Sequence, residues 1–433
     1  MTEFLIDGGT PLQGEVEIPG SKNASLAILS AVLLAKGTTI LHNVPLVSDT
    51  LIEANLLSRF GAKVEWHEGS LFIDCTDITA ADADEETVRA IRTSFYLLGP
   101  LLARVGHATM PAPGGCRIGA RPVDLHLKGL ALLGADVVLD GGVYIGHAGR
   151  LRGSEIYLDL PSAGATQHLM ATAALVEGPT VIENAAIEPE VTALASCLNQ
   201  MGARIEGAGT NKITITGVKE LHGCEFRIPS DRLQAGTYLL AGAITGGDVT
   251  ALGILPDEQT ALVNKLKESG AVVSEGPDWL RVAAPRRLKG INIKTMPYPG
   301  FPTDMQQVMA AVLALADGTS VVDETIYESR IGHVQELNRM GGKLRVEGRS
   351  TIVTGVEHLK GAVVEATDLR AGAALCLAGL AAQGRTTVRN VHYIDRGYEK
   401  FEQRLRSLGA DIERVDHQEQ DAARPVTDNP TRP

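Results

Sequence analysis

Two kinds of apolar segment alternate along the 433-residue chain. In one, such as ASLAILSAVLLA or AGAALCLAGLAA, nearly every position is hydrophobic. A helix built that way must be buried on most of its sides. In the other, such as DTLIEANLLSRF, apolar residues recur at helical spacing on one face only. That pattern predicts a helix lying on the outside of a core. Between the two stand short runs of alternating apolar and polar residues, the period of a half-buried strand.

Glycine punctuates this alternation at a fixed period. Gly-Ala or Gly-Gly closes an amphipathic segment at RFGAKVEW, LLGADVVL, QMGARIEG, ESGAVVSE, RMGGKLRV and SLGADIER. The leading glycines, Gly61, Gly134, Gly202, Gly270, Gly341 and Gly409, are 73, 68, 68, 71 and 68 residues apart. A second marker keeps step, where an Ala/Leu-rich stretch meets glycine and a β-branched run follows, as in LLAKGTTILHNV and GLAAQGRTTVRNV. Glycine takes the left-handed turn that ends a helix, and the β-branched run favours a strand. The predicted unit is apolar helix, glycine, strand, amphipathic helix, Gly-Ala and a pair of strands, written six times. Six such units suit two α/β domains of three units each, with the apolar helices inside and sheets and outer helices around them. The final HQEQDAARPVTDNPTRP breaks the pattern and reads as a disordered tail.

Composition narrows the function. The formal charge of -12 argues against nucleic acid or an anionic membrane as the main partner. It leaves room for small anionic substrates held by local arginines. The five cysteines, Cys75, Cys116, Cys197, Cys224 and Cys376, form no CxxC pair, so neither a disulfide framework nor a metal site is expected. The beginning, MTEFLIDGGTPLQG, lacks the basic head and apolar run of a signal peptide, and a reduced, cytoplasmic protein is expected. There is no GxxxxGK[ST] loop and no GxGxxG after a strand, so no nucleotide cofactor is called for.

Polar residues that break local rules mark the candidate site. Lys22, Arg92, Arg232 and Arg370 sit at or just before apolar-helix starts, where a cation opposes the helix dipole. An anion bound between such starts removes the conflict, and up to six of them could face one cleft. Cys116 lies in a glycine-rich loop between Pro113 and Arg121, with Arg117 beside it, a setting that favours the thiolate. The same loop leads to Asp124 and His126. Arg330 and Arg396 follow strands in matching places, each readable as a surface ion pair or a ligand contact. Asp304 in FPTDM is readable as a helix cap or a catalytic carboxylate. His126, His168 and His333 lack metal-ligand spacing and read as structural or substrate-contacting.

PGSKNAS, PGGCRIGARPVDLH, SAGAT, FPTDMQ, ATDLRAGAAL and IDRGYE together resemble the enolpyruvyl transferases that use a UDP-sugar acceptor. The likeness runs from residue 1 to about 417, and the loop cysteine separates this branch from the 3-phosphoshikimate one. What the resemblance implies is two inside-out α/β barrel-like domains, residues 22–229 and residues 1–21 with 230–417, followed by a tail at 418–433. It implies transfer of the enolpyruvyl group of phosphoenolpyruvate to the 3-hydroxyl of UDP-N-acetylglucosamine, with phosphate released by addition and elimination. Lys22, Asn23, Arg121, Arg396, Arg330 and Arg370 match residues around phosphoenolpyruvate. Arg92, Arg121, Pro122, Val123, Asp124, Leu125, Asp304 and Ile326 match UDP-sugar contacts, and Asp368 matches a further site residue. Cys116 matches the proton donor, which forms a covalent adduct and is the target of fosfomycin, and Asp304 matches the base. Arg117 and Leu160 depart from the family, which often has a small residue and a nucleotide-contacting lysine there. RNA 3′-phosphate cyclases share a similar repeat architecture, but the acidic balance argues against that reading.

Overall fold

A computed structural model describes residues 2–83, 91–112 and 123–416. Cys116, Arg117, Arg121 and Pro122 lie outside the described residues, as do the tail expected at 418–433 and the side chain of Arg92.

The apolar segments form the inner helices Lys22–Val32, Leu98–Val105, Ala163–Ala173, Arg232–Thr245, Thr303–Leu313 and Leu369–Ala381. The last is buried from Arg370 to Leu380, as a helix without a polar face must be. It packs against Thr303–Leu313, Arg232–Thr245 and the turn Val391–Arg396. A Cβ on Gly372 would come within 2.6 Å of Ile394. The amphipathic segments form the outer helices Ser48–Arg59, Asp124–Leu132, Pro189–Gln200, Thr260–Ser269, Gly332–Arg339 and Phe401–Ser407.

All six leading glycines of the Gly-Ala marker have positive φ, between 91° and 104°, a region other residues enter only with strain. The second marker behaves differently from the sequence expectation. Only Gly106 and Gly246 of that set cap their helices in the left-handed conformation. Elsewhere the helix stops earlier, as at Val32, where a tighter turn from Leu34 N–H to the Ala31 carbonyl closes it. Gly37 then turns the chain into the strand.

Among the described residues, six sheets of three or four strands surround these helices, with a separate two-stranded pair. In one, Glu155–Tyr157 runs parallel to Pro179–Glu183, and Lys212–Thr216 and Arg204–Glu206 add antiparallel. The inner helix Ala163–Ala173 makes the crossover between the two parallel strands. No sheet joins another among the described residues.

Buried apolar side chains fall into two clusters. One draws on residues from Ala24 to Ile228, the other on Phe4 to Ile18 and Leu233 to Ile412. The first strands belong to the second half: Thr2–Asp7 pairs with Arg385–Arg389 and Asp411–Asp416, and Gln13–Glu17 pairs with Asp248–Leu252. The chain crosses between the halves twice, side by side. Ser21 N–H donates to the Pro229 carbonyl at 2.7 Å and Asp231 N–H to the Pro19 carbonyl at 2.8 Å. Gly20 sits in this crossing, where a Cβ would lie 1.8 Å from the Asn43 carbonyl oxygen.

Candidate active site

The paired crossings bring the inner-helix starts of the two halves together. Lys22 N–H, at the start of Lys22–Val32, donates to Asp231 Oδ2 at 3.2 Å. Asp231 also caps its own helix through Leu233 and Gln234, while Ser21, Ser162 and Asp368 cap theirs. Of the up to six helix starts expected to accept an anion, several are thus already engaged by side chains. Four starts have side-chain caps, and the cations beside them meet carboxylates.

Two clusters result, each a carboxylate between two cations. In the first, Asp49 on the outer helix Ser48–Arg59 accepts from Lys22 Nζ at 3.2 Å and from Arg396 Nε at 2.9 Å. Lys22 and Asp49 come from the first half and Arg396 from the second, so this cluster ties the halves together. The carboxylate is the most enclosed member, with 7% of its side-chain surface exposed against 11% for Lys22 and 17% for Arg396. Half-buried Asn23 follows Lys22.

In the second cluster Asp304 accepts from Arg330 at 2.7 Å and from Arg370 at 3.1 Å. Here the exposure is inverted: the arginines are 2% exposed and the carboxylate 25%. Arg370 also donates to the Tyr398 hydroxyl at 2.9 Å and lies over its ring, and that hydroxyl meets Thr237. The helix Thr303–Leu313 has no side-chain cap, and the Asp304 oxygens go to arginines rather than backbone amides. Capping is thus excluded as the role of Asp304. Burial on its own would raise this carboxyl, but the charges of Arg330 and Arg370, helped by Lys22, hold it well below the usual carboxylate range.

Arg330 and Arg396 are accordingly not surface ion pairs. Arg232 makes no part of either cluster. It donates to Glu190 at 3.0 and 3.3 Å, a buried fork between the second half and the helix Pro189–Gln200 of the first. Asp368 caps its helix and accepts from Gln307 at 3.0 Å. Ile326 donates its backbone N–H to Glu324 at 2.7 Å. Val123 precedes the helix Asp124–Leu132, where Asp124 is exposed and Leu125 half-buried. Leu160 is 68% exposed.

The histidines separate. Gly99 N–H donates to His168 Nε2 at 2.8 Å, so the proton of buried, neutral His168 resides on Nδ1 and faces His126 Nδ1 at 2.9 Å. Burial, then His126, drives the His168 pKa well down. His333 is buried in the second half, with its pKa lowered to about 4 by burial. Neither belongs to a metal-binding group among the described residues.

Sequence reasoning missed Asp49, Glu53, Glu190 and Tyr398. Glu53 lies one turn beyond Asp49, completely buried, and accepts from Ser30 at 2.7 Å and Thr93 at 3.2 Å. Burial pushes its carboxyl up from 4.5 to about 8. Two acids four residues apart on the inward face of an amphipathic helix were the available signal.

Known proteins share this architecture. The family described as EPSP synthase (3-phosphoshikimate 1-carboxyvinyltransferase) matches residues 6–405. The chain is 52% identical over 417 residues to UDP-N-acetylglucosamine 1-carboxyvinyltransferase 2 of Carboxydothermus hydrogenoformans, covering 96% of this chain and 100% of that one. It is 46% identical to UDP-N-acetylglucosamine 1-carboxyvinyltransferase of a Nostoc species, over 98% and 96% of the two chains. The solved enolpyruvyl transferase NikO from Streptomyces tendae superposes with a TM-score of 0.87 at 27% identity, over 96% of this chain and 99% of that one. EPSP synthase from Acinetobacter baumannii shares the fold, with a TM-score of 0.75 at 22% identity over 96% and 100% of the chains. Near-complete coverage at these identities means that the chain belongs to the UDP-N-acetylglucosamine 1-carboxyvinyltransferases, within the enolpyruvyl transferase family.

Proposed function

We infer that this protein transfers the enolpyruvyl group of phosphoenolpyruvate to the 3-hydroxyl of UDP-N-acetylglucosamine and releases phosphate, the first committed step of peptidoglycan precursor synthesis. It works in the cytoplasm on small anionic substrates, without nucleic acid or membrane insertion. No helix among the described residues is long and apolar enough to cross a membrane. Residues 22–229 and residues 1–21 with 230–417 act as two domains that close on the substrates.

The observation that carries this reading is the inverted exposure of the two clusters. A site that binds phosphoenolpyruvate needs fixed cations for its phosphate and carboxylate, which Lys22 and Arg396 supply, joined by Arg121. A site that takes a proton from a sugar hydroxyl needs a carboxylate that the substrate can reach, and Asp304, half-buried but the most open member of its cluster, supplies it. Cys116 gives its proton to the methylene carbon of phosphoenolpyruvate, and the resulting oxocarbenium-like centre is attacked by the hydroxyl. In elimination the methyl group returns a proton and phosphate leaves. Asp304 is a weak base while Arg330 and Arg370 hold it. Arrival of the anionic substrate offsets those charges, and every pKa unit recovered is about 1.4 kcal/mol in favour of proton transfer. The reverse holds for Cys116, whose thiol the bound anion protects from ionisation.

Phosphate release from phosphoenolpyruvate tests the assignment, with UDP-N-acetylglucosamine or 3-phosphoshikimate as acceptor and fosfomycin in a parallel run. Release with the sugar nucleotide alone, stopped by fosfomycin, is the expected result. Release with 3-phosphoshikimate, or with neither acceptor, would overturn it.

A further inference from the structure

Two cysteines outside the cleft face each other. Cys197 lies on the outer helix Pro189–Gln200 and Cys224 just before the strand Glu225–Arg227, with their sulfurs 4.0 Å apart. The backbone on both sides is fixed. His222 N–H donates to the Met201 carbonyl at 3.0 Å, one residue past that helix, and the Cys224 carbonyl accepts from Ile40 N–H at 2.8 Å. The short strand Leu221–His222 also pairs with Ala35–Lys36. The two sulfurs are thus neighbours by construction.

Among the described cysteines, Cys75, Cys197 and Cys376 are buried, and Cys224 alone is partly open to solvent. We propose that Cys197 and Cys224 form a redox pair that a low-molecular-weight disulfide converts to an internal protein disulfide. Cys224 is the entry point. Cys224 is the more open of the two sulfurs, and its contact with Cys197 lowers its pKa, while the same contact and burial raise that of Cys197. The Cys224 thiolate attacks one sulfur of the small disulfide, forming a mixed disulfide and expelling one thiolate. Cys197 then loses its proton and attacks the Cys224 sulfur, expelling the second thiolate. Two protein thiols are oxidised to one disulfide, one small disulfide is reduced to two thiols, and the two protons are returned to the departing sulfurs. Bonding requires the sulfurs to close from 4.0 Å to about 2.05 Å.

The bond would close the chain from 197 to 224 into a ring containing the strands Arg204–Glu206 and Lys212–Thr216. It would also staple the helix that carries Glu190 to the segment entering the second crossing. The predicted consequence is a more stable first half, because the unfolded chain loses the freedom of that ring.

The test uses the full-length protein and oxidised glutathione as probe, followed by alkylation of remaining thiols, tryptic digestion and mass spectrometry. The digest places Cys197 in the peptide 153–204 and Cys224 in the peptide 220–227. The expected product is these two peptides joined, lighter by two hydrogens, together with a rise in the thermal midpoint that reductant reverses. In Cys197→Ala, Cys224 is expected to stop at the glutathione mixed disulfide. In Cys224→Ser, neither the link nor the midpoint shift should form. Because neither residue belongs to the clusters around Asp49 and Asp304, both variants keep phosphate release. Alkylated Cys197 and Cys224 after treatment, while Cys116 alone is modified, would overturn the proposal. So would a persistent mixed disulfide on Cys224 in the unmutated protein.

Discussion

The clusters around Asp49 and Asp304 contain the same charges and differ in which sign they show. Around Asp49 the carboxylate is enclosed and Lys22 and Arg396 are the more open groups, whereas around Asp304 the arginines are enclosed and the carboxylate is open. The first presents positive charge to a ligand and the second a hydrogen-bond acceptor. They differ also in span. Arg330, Asp304 and Arg370 all belong to the second half, while the Lys22–Asp49–Arg396 set bridges both. Opening the halves would separate Arg396 from Asp49 and leave the Asp304 cluster whole.

The harshest way to break this comparison is Asp304→Asn. It keeps the shape, removes the base and leaves two buried arginines without their counter-charge. Turnover should fall by about 100-fold or more in a phosphate-release assay. Denaturant unfolding should show a loss of about 3 kcal/mol, because an uncompensated buried charge is costly. Unchanged turnover would remove Asp304 from the chemistry.

Asp49→Asn should do less. Lys22 and Arg396 keep their places in the chain but lose the carboxylate that aligns them across the crossing, and turnover should drop on the order of tenfold. Stability should suffer less than in Asp304→Asn, because these cations are partly solvated. A larger unfolding penalty than that of Asp304→Asn would reverse the ranking of the clusters.

Glu53 sharpens the comparison through pH. Its carboxyl is raised from 4.5 to about 8, so between those values the folded protein holds a proton that the unfolded chain has released. Stability is highest below the lower value and falls by up to about 1.4 kcal/mol per unit as pH rises to the upper one. Asp304, held low, acts in the opposite sense and contributes stability that is lost on acidification. Glu53→Gln should flatten the stability profile between 4.5 and 8. A slope unchanged in the variant would assign the proton elsewhere.

The smallest effect is expected at the exposed Leu160, where Leu160→Lys adds a cation beside the Ser162-capped helix. The KM for the sugar nucleotide should fall about threefold, the scale of one solvent-exposed charge contact. An increase would place the nucleotide elsewhere.

The repeats were legible because each is a local decision. The six Gly-Ala glycines, found by their spacing, all have positive φ, and the apolar helices are buried where no polar face existed. Lys22 and Arg370 could be picked out because each opposes the dipole of the helix it starts, and Arg330 and Arg396 because they stand in matching places after strands. Their partners could not. Asp49 and Arg396 are 347 positions apart, Asp304 and Arg370 are 66 apart, and no spacing rule joins them. Asp49 looked like an ordinary acid in a helix's first turn, which it also is. Arg232 resembled Lys22 and Arg370 in its helix-start setting, yet packing hands it to Glu190. Sequence marks where the charges stand, and tertiary packing decides which of them remain open to a ligand.

The most direct measurement is the split between kcat and KM for Asp304→Asn and Arg396→Met, assayed side by side by phosphate release with UDP-N-acetylglucosamine. Asp304→Asn is expected to lose mainly kcat and Arg396→Met mainly affinity, as a raised KM for phosphoenolpyruvate. The opposite split, or the same split in both variants, would contradict the division of labour between the two clusters.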